Sequence, residues 1–288
     1  MTADRKRSAV RHVTRTLHVS ERRACTVLGY ARSMIRYAPR RAHADDALVK
    51  RLHELSEAHP RLGYRKVTAK LRVEGWTVNK KRVMRLWRTH GLGVPQKAPK
   101  RSRRPEGALG EVRYRATAPH DVWAVDFVHD ALRDGRRLKI LTVTDEYSKA
   151  ALATIPATSI KARDVTNALE RLMTLYGAPK HLRSDNGPEF LAKTMRSFLQ
   201  GMGVETILIE PGAPWQNPFA ETFHARLRDE LLNQEIFQTL KEADVIINQW
   251  RRYYNTERPH GALGMRTPND VLQHSRRNPA TLRPNPTP

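Results

Sequence analysis

The 288-residue chain carries a formal net charge of +23, of which residues 1–118 contribute +21 and residues 119–288 only +2. A basic front half joined to a nearly neutral core favours a nucleic-acid-binding protein, with a solubilising basic tail as the alternative. One cysteine, Cys25, excludes an intrachain disulfide or a cysteine zinc finger, and the lack of long apolar runs excludes a membrane span and a signal peptide, so we expect a cytoplasmic location.

Helical patterns dominate the front of the chain. Residues 20–37 predict two short helices that are broken at Gly29, and we assign residues 1–40 to an N-terminal helical segment. Residues 43–58 predict a longer helix whose apolar positions recur at helical spacing. Those apolar positions are Leu48, Leu52 and Leu55.

Two further helical stretches, residues 64–74 and 79–90, are joined by a short turn that contains Gly75. This length and chemistry are typical of a helix-turn-helix, so residues 41–93 are predicted to form a helix-turn-helix-like DNA-binding domain. The inward face of the second helix would consist of Val83, Leu86, Trp87 and His90. Its basic side, suited to a DNA major groove, consists of Lys80, Lys81, Arg82, Arg85 and Arg88. A solvated basic face on an ordinary helical hairpin is the alternative.

Residues 94–115 form a basic linker in this interpretation. The stretch contains too few apolar residues to bury a core, so it should be extended and should contact phosphates without reading bases. Its candidate DNA-binding residues are Lys100, Arg101, Arg103 and Arg104.

Residues 116–275 predict an α/β core, a mixed sheet flanked by helices. The predicted strands are residues 121–130, 137–146, 149–156, 181–183 and 205–209. The predicted helices are residues 161–176, residues 188–202, a helix that starts after Asn217 and residues 240–254. The proline-rich residues 276–288 predict a disordered tail.

Three acidic residues stand out in this core. Asp126 interrupts an apolar strand, where a buried carboxylate needs a partner, a cation or a raised pKa. Asp185 follows a short strand at an Asn-Gly-Pro turn, and Glu221 lies in the first turns of a helix capped by Asn217, with Pro218 at its first position. Taken singly, Asp126 could be a structural acid at a strand edge, Asp185 a turn residue, and Glu221 an acid favoured by the helix dipole near a helix start. Taken together, they predict a site for divalent cations, which prefer oxygen ligands.

These residues carry a family resemblance. The acids are separated by 58 and 35 residues, Ser184–Phe190 reads SDNGPEF, and a basic residue, Arg228, follows the glutamate by seven positions. With these features the chain resembles the catalytic, second-frame protein of insertion-sequence transposases of the IS-three family, which have a D-D-E integrase core. The resemblance runs from residue 22 to residue 260. It implies a ribonuclease H-like fold preceded by an all-helical helix-turn-helix region, and a bacterial, nucleoid-associated DNA transposase.

The resemblance also implies roles for individual residues. Asp126, Asp185 and Glu221 would be catalytic and would bind two Mg²⁺ ions, which Mn²⁺ can replace. One ion would lower the pKa of a water that cleaves a phosphodiester at the element's end, and the freed 3′-hydroxyl would then attack another phosphodiester. His224 and Arg228, on the helix face of Glu221, would contact DNA phosphates, with a helix-surface role as the alternative for His224.

Four further positions qualify this assignment. Asp130 shares a strand face with Asp126, and Asp145 lies in a segment that the family also carries, so either could support the triad. Members commonly have Gly where this chain has Pro218 and Asn where it has His224. Pro218 suits a helix start, whereas His224 changes the groups available for phosphate contact.

The expected partners are double-stranded DNA, both element ends and target, and further copies of the chain on that DNA. The family's upstream-frame protein, a helix-turn-helix with a leucine zipper, has no counterpart here, so such a protein or a fusion to it is a further expected partner. A non-catalytic DNA-binding regulator or inhibitor of transposition is the main alternative, although a binder has no reason to retain three metal-binding acids. A ribonuclease H-like nuclease that acts on RNA is the other.

Overall fold

The structure, a computed structural model, describes residues 3–37, 45–94, 114–210 and 216–277. Two compact units divide the chain, Met1–Ala58 and His59–Pro288. The division falls inside the predicted 41–93 domain, and the predicted domain boundaries stay predictions. Most of the predicted basic linker and its four cationic candidates lie outside the described residues. Among the described helices, none is both long enough and apolar enough to cross a membrane.

In its described residues, 3–37 and 45–58, the first unit contains four helices. They are α1 (Ala3–Thr16), α2 (Glu21–Val27), α3 (Arg32–Arg36) and α4 (Asp46–Ala58). The oxygen of Ser20 caps α2 by accepting a hydrogen bond from the Arg23 backbone N–H at 3.3 Å, and Gly29, at φ +67°, separates α2 from α3 as predicted. Val10 of α1 packs in a small core with Ala24 and Cys25. The sequence interpretation did not identify α1.

The second unit begins with the predicted helical pair, α5 (Tyr64–Val73) and α6 (Lys80–Thr89). The Asn79 side chain caps α6 by accepting a hydrogen bond from the Lys81 backbone N–H at 2.9 Å. Val83, Leu86 and Trp87 are buried as predicted. His90 was wrongly placed on the inward face, because α6 ends at Thr89 and the His90 side chain is exposed. The basic candidates of α6 are exposed, apart from a partly buried Arg82.

A five-stranded mixed sheet forms the centre of this unit. Its strands are β1 (Val122–Ala131), β2 (Arg137–Asp145), β3 (Ala151–Ala157), β4 (His181–Ser184) and β5 (Glu205–Leu208). They lie in the order β3-β2-β1-β4-β5; β1, β2 and β3 pair antiparallel, while β4 pairs parallel with β1 and with β5. This is the ribonuclease H-like strand order, which confirms the predicted fold class.

Two apolar layers cover the sheet, one on each face. On the first face, Trp123 and Val125 of β1 share a core with residues of α7 (Ala162–Tyr176), α8 (Pro188–Leu191) and α9 (Lys193–Gly201). On the second face, Val128 packs with residues of α10 (Pro218–Leu227) and α11 (Leu240–Thr256). Because side chains alternate along a strand, Asp126 faces the second layer, towards α10.

Two helical predictions need correction. The single helix predicted over residues 188–202 is two helices, because Ala192 adopts an extended backbone at φ −56° and ψ 140° between α8 and α9. This break lets both Phe190 and Met195 point into the core. The disordered tail was predicted to begin at Arg276, but Arg276 and Arg277 are the last two residues of α12 (Pro268–Arg277). Residues 278–288 lie outside the described residues.

A buried guanidinium connects four segments of this fold. Arg183 on β4 donates from Nε to the Glu146 carboxylate at 2.7 Å and from Nη2 to the Tyr114 carbonyl at 2.7 Å. Its Nη1 donates to the Gln216 carbonyl at 3.4 Å, just ahead of α10. Arg183 and Glu146 are each only 1% exposed. The pair therefore connects the end of β4 to the β2–β3 turn and to the start of α10.

The Thr142 hydroxyl of the sheet contacts α10, which packs on the second face of the sheet. Thr142 of β2 lies 3.0 Å from the Asp126 carbonyl oxygen and 2.8 Å from Nε2 of His224 on α10. Thr154 of β3 lies directly opposite Thr142 in the sheet register. Its hydroxyl is also buried, yet it has no hydrogen-bond partner among the described residues.

Replacing Glu146 with Gln should lower the free energy of unfolding by about 3–5 kcal/mol, because Arg183 is left as an uncompensated buried charge. The double variant Glu146→Leu/Arg183→Met should be more stable than this single variant, since it removes both charges. Urea unfolding followed by tryptophan fluorescence measures both. As a control, Asp134→Asn removes an exposed partner of Arg136 and should leave stability unchanged. Equal stability of Glu146→Gln and this control would contradict the assignment.

Replacing Thr142 with Val should lower the free energy of unfolding by about 1–3 kcal/mol, because it leaves the buried His224 ring nitrogen without its partner. The matched variant Thr154→Val removes a hydroxyl that makes no hydrogen bond and should be neutral or stabilising. The same urea titrations compare them. If the free energy of unfolding falls by the same amount in both variants, the Thr142 contact does not stabilise the packing of α10.

Candidate active site

The strand register brings the first two acids to one place. In the parallel pair of β1 and β4, Ala124 lies opposite Arg183, and Asp126 and Asp185 each follow two residues later. Neighbouring strands lie about 4.8 Å apart. Asp126 is therefore on the first strand and Asp185 just past the fourth, as the family resemblance implied.

The charges of both predicted partner acids affect the pKa of Asp126. Burial, followed by the negative charges of Asp185 and Glu221, raises the pKa of Asp126 to about 6, against the lowering effect of a 2.7 Å hydrogen bond from the Phe127 backbone N–H to Oδ1. A carboxylate affects a neighbour's pKa appreciably only when it is close. The three acids, far apart in sequence, therefore share one electrostatic environment.

The turn after β4 sets the position of Asp185. Its Oδ1 accepts a hydrogen bond from the Gly187 backbone N–H at 2.9 Å, while the Asn186 side chain donates to the Ile209 carbonyl at 2.6 Å. A Cβ added to Gly187 would lie 3.0 Å from that same Oδ1. A side chain at this position would therefore push the Asp185 carboxylate out of its present position.

Local sequence accounts for the placement of Glu221. The Asn217 oxygen accepts a hydrogen bond from the Ala220 backbone N–H at 3.4 Å, and Pro218 occupies the first position of α10, both as predicted. Glu221 then lies in the first turn, where the helix dipole favours a negative charge. Partial desolvation raises the pKa of its carboxyl, which acts against that preference.

His224 contacts the sheet. Its Nδ1 lies 3.7 Å from Oδ2 of Asp126, and its Nε2 lies 2.8 Å from the Thr142 hydroxyl. Burial, followed by the positive charge of Arg228, lowers the pKa of His224 to about 4, so the ring is neutral near pH 7. The contact with Asp126 is therefore not an ion pair. Arg228, the other predicted phosphate contact, is exposed and donates to the His129 carbonyl at 2.9 Å.

The hydrogen bonding of the Thr142 hydroxyl decides which ring nitrogen of His224 carries the proton. It has one proton, which it can donate either to the Asp126 carbonyl or to His224 Nε2. When the strand carbonyl accepts it, Nε2 of His224 must be the donor, and the unprotonated Nδ1 faces the Asp126 carboxyl. Thr142 had no signal in the sequence beyond its alternate position on a predicted strand.

The donor chemistry of the triad fits a divalent cation, but its side chains do not converge. Within the described segments, no three His, Cys, Asp or Glu side chains are placed to hold a metal ion. Asp126 and Asp185 each direct Oδ1 to a backbone N–H, and like charges repel in the absence of a cation. No Lys or Arg of the described residues forms an ion pair with any of the three acids. Three carboxylates without a cationic partner are a ligand set suited to Mg²⁺.

The two rival acids have other partners. Asp145 is fully buried and accepts hydrogen bonds from the backbone N–H and hydroxyl of Ser148 and from the backbone N–H of His120 at 2.9 Å. Asp130 accepts from the Ala131 backbone N–H at 2.8 Å. Neither has a hydrogen bond to the triad, and Asp145 stabilises the β2–β3 turn instead.

One supporting ion pair was not identified from the sequence. The Lys139 ammonium on β2 pairs with the Glu189 carboxylate on α8 and lies 3.8 Å from the centroid of the Phe127 ring. Phe127 in turn stacks on Phe190 at 5.3 Å. These contacts connect the strand of Asp126 to the helix that follows Asp185. Residues 139 and 189 are distant in sequence, so no local pattern indicates the pair.

Three segments of the chain match known protein families. Residues 116–214 and residues 202–268 each match an integrase core domain, and residues 43–101 match an HTH-like domain. Among solved structures, the HTLV-2 integrase catalytic core domain in complex with magnesium aligns with a TM-score of 0.45 at 18% identity, covering 55% of this chain and 99% of that one.

Relatives with similar sequences are insertion-element proteins. The chain is 39% identical to the uncharacterized 31.7 kDa protein of insertion element IS407 from Burkholderia multivorans, over 90% of this chain and 93% of that protein. It is also 39% identical to the uncharacterized 39.2 kDa protein of IS476 from Xanthomonas euvesicatoria, over 92% and 75% of the two chains. The putative transposase InsK of IS150 from Escherichia coli is 27% identical, over 73% and 77%. The chain therefore belongs to the insertion-sequence transposases of the IS-three family, proteins of DNA transposition built on an integrase core.

Proposed function

We propose that this chain is an active D-D-E transposase in which Asp126, Asp185 and Glu221 form the catalytic triad. It cleaves phosphodiester bonds at the ends of its element and joins the freed 3′-hydroxyl to target DNA. The observation that carries this proposal is geometric: the register of β1 and β4 brings Asp126 and Asp185 to adjacent strands, and the contacts of His224 with Asp126 and Thr142 bring the Glu221 face of α10 to Asp126. Burial, with the charges of Asp185 and Glu221 added to it, raises the pKa of Asp126. Three mutually repelling acids without a cation partner among the described residues are costly unless a ligand neutralises them.

The triad would hold divalent metal, two Mg²⁺ ions that Mn²⁺ can replace. Bound there, the ions would activate an attacking oxygen and stabilise the charge on the leaving one. The protein's own residues prepare this site. His224 stays neutral beside Asp126, so it adds no positive charge that would compete with metal for the carboxylate. The hydrogen bonds from the backbone of Phe127 and Gly187 to Oδ1 orient Asp126 and Asp185, whose other carboxylate oxygens would be the ones to bind metal.

DNA binding would involve two surfaces of the second unit. The exposed basic side of α6 suits a groove or a phosphate backbone, with affinity that falls as salt rises. Arg228 is exposed and uses one nitrogen on a carbonyl, so its remaining donors are available for a phosphate near Glu221. His224 supports Asp126 in this proposal and does not contact phosphate. The linker cations Lys100, Arg101, Arg103 and Arg104 stay predicted DNA contacts.

Assembly on DNA is part of the proposal. Two element ends must be cut and joined together, which favours several copies of the chain on one DNA complex, at the bacterial nucleoid. The HTH-like match does not extend ahead of residue 43, which leaves room for an upstream-frame partner or fusion to read the element ends.

The variants Asp126→Asn, Asp185→Asn and Glu221→Gln should each reduce Mg²⁺-dependent cleavage and strand transfer at least about a hundredfold. Mutating even a residue that only hydrogen-bonds to a metal ligand lowers metal affinity or activity about 10–100-fold, so replacing a ligand itself should lower activity more. Cleavage of labelled oligonucleotides carrying the element's inverted repeats, with and without Mg²⁺, measures the loss. Binding of the same DNA in EDTA should be unchanged.

Asp130→Asn is the matched control, because it removes a nearby strand acid that makes no contact with the triad. It should retain most of the activity. Retained strand transfer in any triad variant would refute that residue's role. A wild-type chain that binds the ends but never cuts them would favour a regulator of transposition, and cleavage of RNA–DNA hybrids without joining would favour a nuclease.

A further inference from the structure

A cavity lies beside α10, the helix that carries Glu221, and away from the three acids of the candidate site. It has a volume of about 440 Å³, within the range of small-molecule sites. Its walls come from α10, the β2–β3 turn, α5 and the segment after α11. All of these elements belong to the second unit. On α10, Phe219, Phe223 and Arg226 line it at helical spacing, on roughly the opposite side of the helix from Glu221.

The lining is cationic, and two of its four cations form no ion pair with the described residues. It contains Lys66, Lys149, Arg226 and Arg258. Arg258 is neutralised by the Glu230 carboxylate, with Nε 2.6 Å from it, and Lys66 lies 3.9 Å from that same carboxylate. Lys149 and Arg226 have no ion-pairing carboxylate among the described residues. The one acid in the lining, Asp145, has its oxygens occupied by Ser148 and the His120 backbone.

The position of Lys149 is strained. Its backbone has φ +63°, a conformation that non-glycine residues rarely adopt, and the Asp145 contacts to Ser148 hold the turn that imposes it. The ammonium is directed to the Glu146 carbonyl and lies 3.7 Å from the centroid of the Phe219 ring at the cavity wall. Burial lowers the pKa of Lys149 to about 8. Strain and desolvation both cost free energy, and such costs concentrate at functional sites.

The remaining walls are aromatic or apolar. Phe219 is half-buried, Phe223 and Tyr254 are buried, and Pro218 lies at the start of the helix. Aromatic side chains pack on the faces of nucleobases, which all share a π-surface. Lys149 and Arg226 form no ion pair with the described residues, although the charges of Glu146 and Asp145 act on Lys149. Two such cations beside aromatic walls match a ligand that combines a phosphate with a flat ring.

We propose that this cavity binds one unpaired nucleotide of the DNA strand, with its phosphate on Lys149 and Arg226 and its base against the aromatic walls. The assignment of that nucleotide to the transposed DNA rests on the proposed function. Glu221 and Thr222 are consecutive, and Thr222 also lines the cavity. A strand that runs from the acids to the cavity would pass over the exposed side of α10, past Thr222. The site would hold the strand open across α10 from the bond to be cut.

Binding of a fluorescent mononucleotide tests this directly. The probe is 2-aminopurine deoxyriboside 5′-monophosphate, titrated with the full chain in EDTA so that no metal-dependent chemistry contributes. We expect saturable quenching, at least about tenfold weaker for the nucleoside without its phosphate, since a charge-assisted hydrogen bond is worth about a factor of ten. Inorganic phosphate should compete at least about tenfold more weakly than unlabelled dAMP.

Lys149→Met and Arg226→Gln should each weaken binding of the probe about tenfold. Arg171→Gln is the matched control, because Arg171 is an exposed cation on α7, which packs on the other face of the sheet. Circular dichroism and thermal melting confirm that the variants fold. Asp126→Asn should bind the probe like the wild type, so loss of cleavage and loss of this site are separate results.

Three outcomes would overturn the proposal. The first is no saturable binding by the wild-type chain. The second is equal binding by wild type, Lys149→Met and Arg226→Gln. The third is competition by inorganic phosphate as strong as that by dAMP, which would reduce the cavity to a simple anion site with no place for a base.

Discussion

One buried guanidinium sets the geometry on which the candidate site depends. Arg183 bonds to the Glu146 carboxylate and to two backbone carbonyls, one at Tyr114 and one at Gln216. Asp185 lies two residues after it, and α10, which carries Glu221, begins two residues after Gln216. The Arg183 guanidinium is therefore one of the contacts that set the distance between these two acids, together with the Thr142–His224 contact and the core around Phe223. A buried charge is a costly way to connect segments, and it is tolerated because its carboxylate partner is equally inaccessible.

The acids themselves are held without a metal by ordinary backbone chemistry. Asp126 and Asp185 each accept one amide hydrogen bond, and His224 stays neutral beside Asp126 because it is buried and close to Arg228. The hydrogen bond to Asp126 offsets part of the cost of holding three negative groups near each other. Burial and the charges of Asp185 and Glu221 still raise the pKa of Asp126.

Local signals in the sequence were sufficient for the elements that carry the acids. Asn217 and Pro218 define the start of α10, and alternation along β1 places Asp126 on a definite face. The break at Ala192 could not be predicted, because alanine is a good helix former and only the packing of α8 and α9 imposes the extended backbone. The direction of the His224 ring was missed for a related reason. Its partners, Thr142 and Asp126, lie on strands far away in sequence.

The helix α10 serves two surfaces at once. Glu221 and His224 lie on the side of α10 that faces Asp126, while Phe219 and Arg226 line the cavity. Consecutive residues of a helix are separated by about 100° around its axis. A single residue inserted between Asn217 and Glu221 would rotate both sets together and misalign them in one step. The internal spacing of this helix is therefore under a double constraint, and evolution can adjust one surface only by substitution and not by changing the helix's length.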